Sequence, residues 1–230
     1  MSLIVLPTYP NVAVNIRRSN RAKQMTLRVS ALDGQVSVTA PRRVPILDIQ
    51  AFILEKEAWV RKKMAAIPEK VDVNFYTVIP IRGVLHSIVP SVGKKIQISA
   101  NKLFIPDKIK TPKSSTLAFL RVLAHEQIVK EADFYAGKLD VRYAKISLRD
   151  TKSRWGSCSE LGAMMFSWRL IMAPPKVLSY VVAHEVAHLR HMNHSDEFWI
   201  EVRSLFGEFR VEKEWLGGNG ANLHKYKFKD

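Results

Sequence analysis

The chain has 230 residues, 47% of them apolar and 25% charged, and a formal net charge of +15. That length can bury a sizeable core in one large domain or two small ones, and the composition excludes a disordered polyelectrolyte. No apolar run approaches the ~20 residues that span a bilayer, and the single cysteine, Cys158, excludes an internal disulfide framework and fits a reducing compartment.

Met1-Ser2-Leu3-Ile4-Val5-Leu6-Pro7 lacks the basic start of a secretory signal, and Pro7 cuts its apolar stretch short, so a cytoplasmic protein with no membrane partner is expected. Residues 11–40 read as a meander of strands, with a polar turn at Arg18-Ser19-Asn20 and a hairpin at Asp33-Gly34. After Pro45, Ile49, Phe52, Ile53, Trp59, Val60 and Met64 recur near helical spacing, which predicts one helix over 46–66 ended by Pro68. Residues 73–105 return to short strands, and the Lys-, Pro- and Ser-rich stretch 106–116 reads as a connector. A long helix follows over 115–138, with Leu117, Leu120, Val122, Leu123, Ile128 and Val129 as its core candidates.

Tyr143 to Leu148 suggests a strand, and 154–168 a hairpin turning at Glu160-Leu161-Gly162. Pro174-Pro175 open a helix whose buried stripe is Leu178, Val181, Val182, Val186 and Leu189, with Tyr180, His184 and His188 on another face. A second helix begins at Ser195, whose hydroxyl can accept from free amides, with Asp196 and Glu197 at its positive end and Gly207 at its stop. A last helix over 208–216 precedes a Gly-rich tail from Gly217, and no internal repeat is visible in the sequence.

His184-Glu185-Val186-Ala187-His188 has the HExxH spacing of a zinc site. Two His four apart lie about 40° off alignment on one helical face, so both imidazoles reach one ion. Glu185 adjoins the first of them, where a carboxylate can take a proton from water activated by the metal. A catalytic zinc usually takes three protein ligands and keeps one open position. His194 is the expected third ligand and His191 the competing assignment. Three His on one straight helix are separated by about 5 Å per turn along the axis and cannot converge, so the chain must reverse, and Met192-Asn193 is the expected place. The spacing to His194 equals that of metzincin proteases, but no Met follows Met192 to form their Met-turn.

Arg154-Trp155-Gly156-Ser157-Cys158, Trp168-Arg169-Leu170, and His184-Glu185 through His194-Ser195, Phe198 and Trp199 together resemble the YgjP-like metal-dependent hydrolases, which are related to SprT-like and WLM zinc metallopeptidases. These motifs cover residues 145–206, and Ser167 stands where that family usually has Asn. The resemblance implies a zincin catalytic half with one zinc ion on His184, His188 and His194 and Glu185 as general base. The expected fold class is accordingly α+β, a strand-rich N-terminal half plus a zincin-like helical catalytic half. The expected division is a β-rich subdomain with one helix over 1–105, a catalytic domain over 106–216 and a flexible basic tail over 217–230.

The leading function is hydrolysis of peptide bonds in a peptide or protein substrate. Some members of the family are described as nucleoside-triphosphate (UTP) pyrophosphatases, which makes that the first alternative. A DNA-associated binding protein with a non-catalytic metal is the second. Arg154, Trp155 and Arg169 are candidate substrate-binding residues, and Arg190 is a further cation near the metal. Ordinary ion pairs for the Arg residues and core or cleft-wall packing for Trp155 and Trp168 are the plainer readings. Cys158 reads as a small buried hydrophobe, and His125, His86 and His224 have no visible metal partners. The basic clusters Arg17-Arg18, Arg42-Arg43, Arg61-Lys62-Lys63, Lys94-Lys95, Lys108/Lys110/Lys113 and Lys225/Lys227/Lys229 make a polyanion, nucleotide or nucleic acid, a candidate partner.

Overall fold

The computed structural model of the protein describes residues 3–6 and 9–228; Lys229 and part of the Met1–Pro7 start lie outside the described residues. The fold is α+β, and the chain divides into two compact units, Met1–Glu69 and Lys70–Asp230. No helix among the described residues is long and apolar enough to cross a membrane.

The first unit holds strands β1 (Leu3–Leu6), β2 (Tyr9–Ser19), β3 (Thr26–Val29) and β4 (Val36–Pro41), followed by helices α1 (Ile46–Glu55) and α2 (Glu57–Ala65). The sheet order is β1-β2-β4-β3. It is not the expected meander, because β4 inserts between β2 and β3 and runs parallel to β2. The hairpin at Gly34 forms as expected, with the residue at φ +71°, a left-handed angle glycine adopts without strain. The two strands share one core: Val12, Val14 and Ile16 on β2 and Val36, Val38 and Ala40 on β4 all bury one face. Ile49, Ile53 and Val60 from the helices complete that core. The expected single helix over 46–66 is two, since Lys56 leaves helical torsions at φ −92°, ψ 6°.

The second unit opens with β5 (Val71–Asp72), then β6 (Val78–Ile81), β7 (Val84–Ser91), β8 (Gln97–Ser99) and β9 (Lys102–Pro106). Helix α3 (Pro112–Leu139) leads to β10 (Lys145–Arg149), β11 (Gly156–Cys158) and β12 (Ala163–Ser167), a sheet in the order β10-β12-β11. A 3-10 turn, Trp168–Met172, then feeds α4 (Pro175–Ala187), α5 (Asp196–Phe206), α6 (Arg210–Leu223) and β13 (Tyr226–Lys227). One core joins Ile79, Ile88 and Leu103 of the strands to Leu120 and Ile128 of α3 and Val182 and Val186 of α4. The strands of 73–105 therefore share a core with helices α3 and α4, and the division falls at 69/70 rather than 105/106. Helix α3 buries a narrow stripe, Thr116, Leu120, Ala124, Ile128 and Ala132, four residues apart; Val122 is off it and 55% exposed, contrary to expectation.

The expected flexible tail from 217 is ordered instead. Helix α6 runs through Gly217, Gly218 and Gly220 because tertiary packing outweighs their poor helix propensity. Trp155 lies where a β-carbon on Gly220 would sit, 2.8 Å from its Cζ2, and Leu223 is buried. Beyond the helix, β13 pairs parallel with β5.

The two units repeat one topology that the sequence hides. In the second unit the order is β6-β7-β9-β8, again with antiparallel outer pairs and a parallel central pair. The registers coincide: Ser19 faces Pro41 across the first parallel pair, and Ser91 faces Pro106 across the second. Ile16 and Ile88 are equivalent as well, but few other identities survive along the four strands, too few to mark a sequence repeat.

Candidate metal centre

Helix α4 is the axis of the site. Its buried stripe holds Leu178, Val181, Val182 and Val186 in the core, which turns His184 and His188 toward an open cavity. The helix stops at Ala187, with His188 at its C-cap, and the carbonyl of Ala187 accepts from the amides of both Arg190 and His191. The reversal thus begins at 188–190 and continues through a bend at the expected Met192-Asn193, although Asn193 has no left-handed angle. Helix α5 follows with Ser195 at its N-cap, although no capping bond from the Ser195 hydroxyl to the helix amides forms.

This turn brings His194 to the helix pair. One nitrogen from each of His184, His188 and His194 lies within 4.8 Å of the others. Nε2 of His194 is 3.1 Å from Nε2 of His184. Two ligands on a tetrahedral zinc at 2.0–2.1 Å are ~3.3 Å apart, so the donor set fits such an ion. Nδ1 of His188 donates to the carbonyl of His191 at 2.9 Å, which leaves its Nε2 lone pair for a metal. His191 itself turns away, its Nε2 3.6 Å from Glu201 Oε2. His194, rather than His191, completes the cluster.

The electrostatics favour neutral, ligating imidazoles. Burial first, then the neighbouring His188 and His194, lower His184 to about 3. Burial also lowers His188, against the opposing pull of the His191 carbonyl. Glu185 is 5% exposed, and burial pushes it up to about 8, an effect the charge of Arg154 reduces. These groups line a cavity of about 260 Å³ together with Gly156, Ser157, Cys158 and Met192.

The other candidates separate. Arg154 is exposed and acts on Glu185 through its charge. Trp155 packs over Gly220 with its ring 5.5 Å from that of His224, and is not among the cavity-lining residues. Arg169 is 6% exposed and fully engaged: it is paired with Asp150 at 2.6 Å, and donates to the carbonyls of Leu223 at 2.7 Å and Tyr226 at 3.2 Å. It clamps the C-terminal segment instead of facing substrate. Arg190 pairs with Glu201 and donates to the carbonyl of Leu139. Cys158 lines the cavity, and burial, then Glu185, push its thiol up to about 11, so it stays protonated and lies outside the three-His cluster. His125 is exposed on α3; His86 is buried and bonded to the carbonyl of Val84.

Two features of the site escape sequence reasoning. Phe198, fully buried, packs 4.4–4.9 Å from the rings of all three His and forms their floor. Its spacing four residues after His194 on the next helix is the available signal, but it reads equally as core. Gly156 is the other: its backbone lies against the Glu185 carboxylate, a contact between elements that no local pattern encodes.

The family described as YgjP-like, metallopeptidase domain, matches residues 23–219. No curated protein and no solved structure matches the chain significantly.

Proposed function

The chain belongs to the YgjP-like metallopeptidase-domain family, which supports a metal-dependent hydrolase, and from that premise we propose a cytoplasmic zinc hydrolase that cleaves peptide bonds. The observation that carries the reading is the convergence of three imidazoles beside a buried carboxylate on one cavity. His184, His188 and His194 would hold one ion. When bound, zinc supplies a Lewis acid and lowers the pKa of water toward ~7.

Glu185 is the general base in this reading: its carboxylate takes a proton and returns it to the leaving amine. His188, fixed by the His191 carbonyl, keeps its ligating nitrogen aimed at the site. Strand β11 supports a peptide substrate, because it is the edge of its sheet and lines the same cavity, and an extended chain can pair with such an edge.

A second reading, nucleoside-triphosphate hydrolysis to pyrophosphate, draws on two cations near the site. Arg154 acts on Glu185, and Lys213 stands 5.0 Å over the Trp199 ring, which adjoins His184 and His194. The test is Glu185→Gln in zinc-loaded protein, assayed against a peptide library and a nucleotide panel. Zinc content should stay near one ion per chain while peptide turnover falls about 10²-fold or more. Unchanged turnover overturns the mechanism, and turnover of nucleotides alone overturns the substrate.

A further inference from the structure

The outward face of the first unit's sheet has an unusual charge balance. Residues 1–69 hold 11 Lys and Arg against 5 Asp and Glu, and the first acidic residue is Asp33. Asp33 lies in the turn joining β3 to β4, and no further acidic residue comes before Asp48. Because β2 and β4 are parallel, their C-terminal ends lie side by side, and the antiparallel β3 begins at that same end. Arg42 and Arg43 after β4 therefore join Arg21 and Lys23 before β3. Arg18 braces this end by donating to the carbonyls of Arg42 at 2.9 Å and Val44 at 2.6 Å.

The face itself continues the pattern. Since Val14, Ile16, Val36 and Val38 point into the core, the intervening residues point out. Leu3 of β1 stands opposite Asn15, and across β2, β4 and β3 the register sets two polar rows, Asn15-Ser37-Arg28 and Arg17-Thr39-Thr26. Every member can donate a hydrogen bond and none is acidic. Among the described residues, no ion pair engages Arg17, Arg21, Arg28, Arg42 or Arg43.

The second unit is an internal control. Its sheet has the same topology and register, with Val89 where the first has Arg17 and Ser99 where it has Arg28, although Lys102 stands where the first has Ser37. Arginine at those two places is thus not a requirement of the sheet.

The geometry points to a binding site for the phosphodiester backbone of double-stranded nucleic acid on this face and basic end. Guanidinium groups and hydroxyls contact phosphates without reading bases. The two rows contain no aromatic side chain on which single-stranded bases could stack, which favours a duplex. Its residues belong to the first unit and the metal-binding histidines to the second, and the inference does not depend on the hydrolytic reading.

The test is fluorescence anisotropy of the full-length protein with a labelled random-sequence DNA duplex, across a salt series. Binding should be in the micromolar range typical of sequence-independent complexes, about 10⁻⁶–10⁻⁴ M at physiological salt, and equal with and without zinc. The quadruple variant R17Q/R28Q/R42Q/R43Q should weaken it by about 10-fold or more and flatten the log–log salt slope by roughly 0.9 for each phosphate no longer neutralised. The same four positions changed to Lys should keep the slope, and K130Q/R142Q/K145Q/K176Q, on the second unit, should behave like wild type. An unchanged slope in the first variant, or equal weakening in the second-unit variant, overturns the proposal. So does tighter binding to a single strand, or to phosphatidylserine vesicles, an arm included because Leu47 stands 72% exposed just beyond Arg43.

Discussion

A β-carbon on Gly156 would fall 2.5 Å from Oε1 of Glu185 and 2.6 Å from its Cγ, so the carboxylate lies directly on bare backbone of the edge strand β11. Glu185 is seated by the absence of a side chain opposite it. Gly156→Ala must displace the carboxylate or the strand, and a shift of about 1 Å in a catalytic group can cost 10²-fold. Turnover is expected to fall about 10-fold to 10²-fold with zinc content unchanged by elemental analysis. Full activity in this variant would show that the carboxylate's seat is not catalytic.

The third ligand is separable from its neighbour. His194→Ala should lose tightly held zinc, since two His retain an ion poorly, whereas His191→Ala should keep it. His191 offers the site only its backbone carbonyl, to His188, and that survives substitution. Metal analysis after dialysis distinguishes the two, and zinc depletion only in the His191 variant would reverse the assignment.

Arg169 is expected to act on stability. Arg169→Met leaves the carbonyls of Leu223 and Tyr226 without their donor and Asp150 without its partner. Unmet buried acceptors cost about 1–3 kcal/mol, which corresponds to a Tm lower by roughly 3–10 °C. Calorimetry reads this directly, and an unchanged Tm with abolished substrate binding would restore Arg169 to the binding site.

His224 gives the fold an acid sensitivity. Burial first, then the charge of Arg169, lower its pKa from 6.5 to about 4. The unfolded chain therefore binds the proton more readily between those values. Stability from this group is complete above about 6.5 and is lost as pH falls toward 4. Between pH 7.5 and 5 the Tm of wild type should drop further than that of His224→Phe. Equal drops would remove His224 as a cause.

Much of the site is readable in the sequence because its chemistry is local. His184, Glu185 and His188 share one helix, and helical geometry alone puts both imidazoles on one face. His194 needs only a reversal of the chain, which starts where the helix ends at His188 and bends again at Met192-Asn193, as the residue types suggest. Arg169 reads as a substrate contact in the sequence because its three partners come from distant residues, 150, 223 and 226. The order of α6 beyond Gly217 is hidden for a similar reason, since Trp155 from another element supplies what the glycines lack. In the first unit the alternation on β2 and β4 is visible, but alternation is the same for a meander and for a parallel insertion. Pairing partners are set by the shared core, not by the strand's own pattern.

Strand β13 pairs with β5, and the amides of Val71 and Val73 donate to the carbonyls of Lys225 and Lys227. That short ladder joins segments about 155 residues apart, a closure that chain entropy defers until the rest of the unit has condensed. It works as a latch. The strap it fastens carries the acceptors of Arg169 and, through His224, abuts Trp155, the residue next to Gly156. One line of contacts thus runs from the last described strand through His224 and Trp155 to Gly156 and the Glu185 carboxylate, so the far end of the chain and the cavity wall pack as one piece.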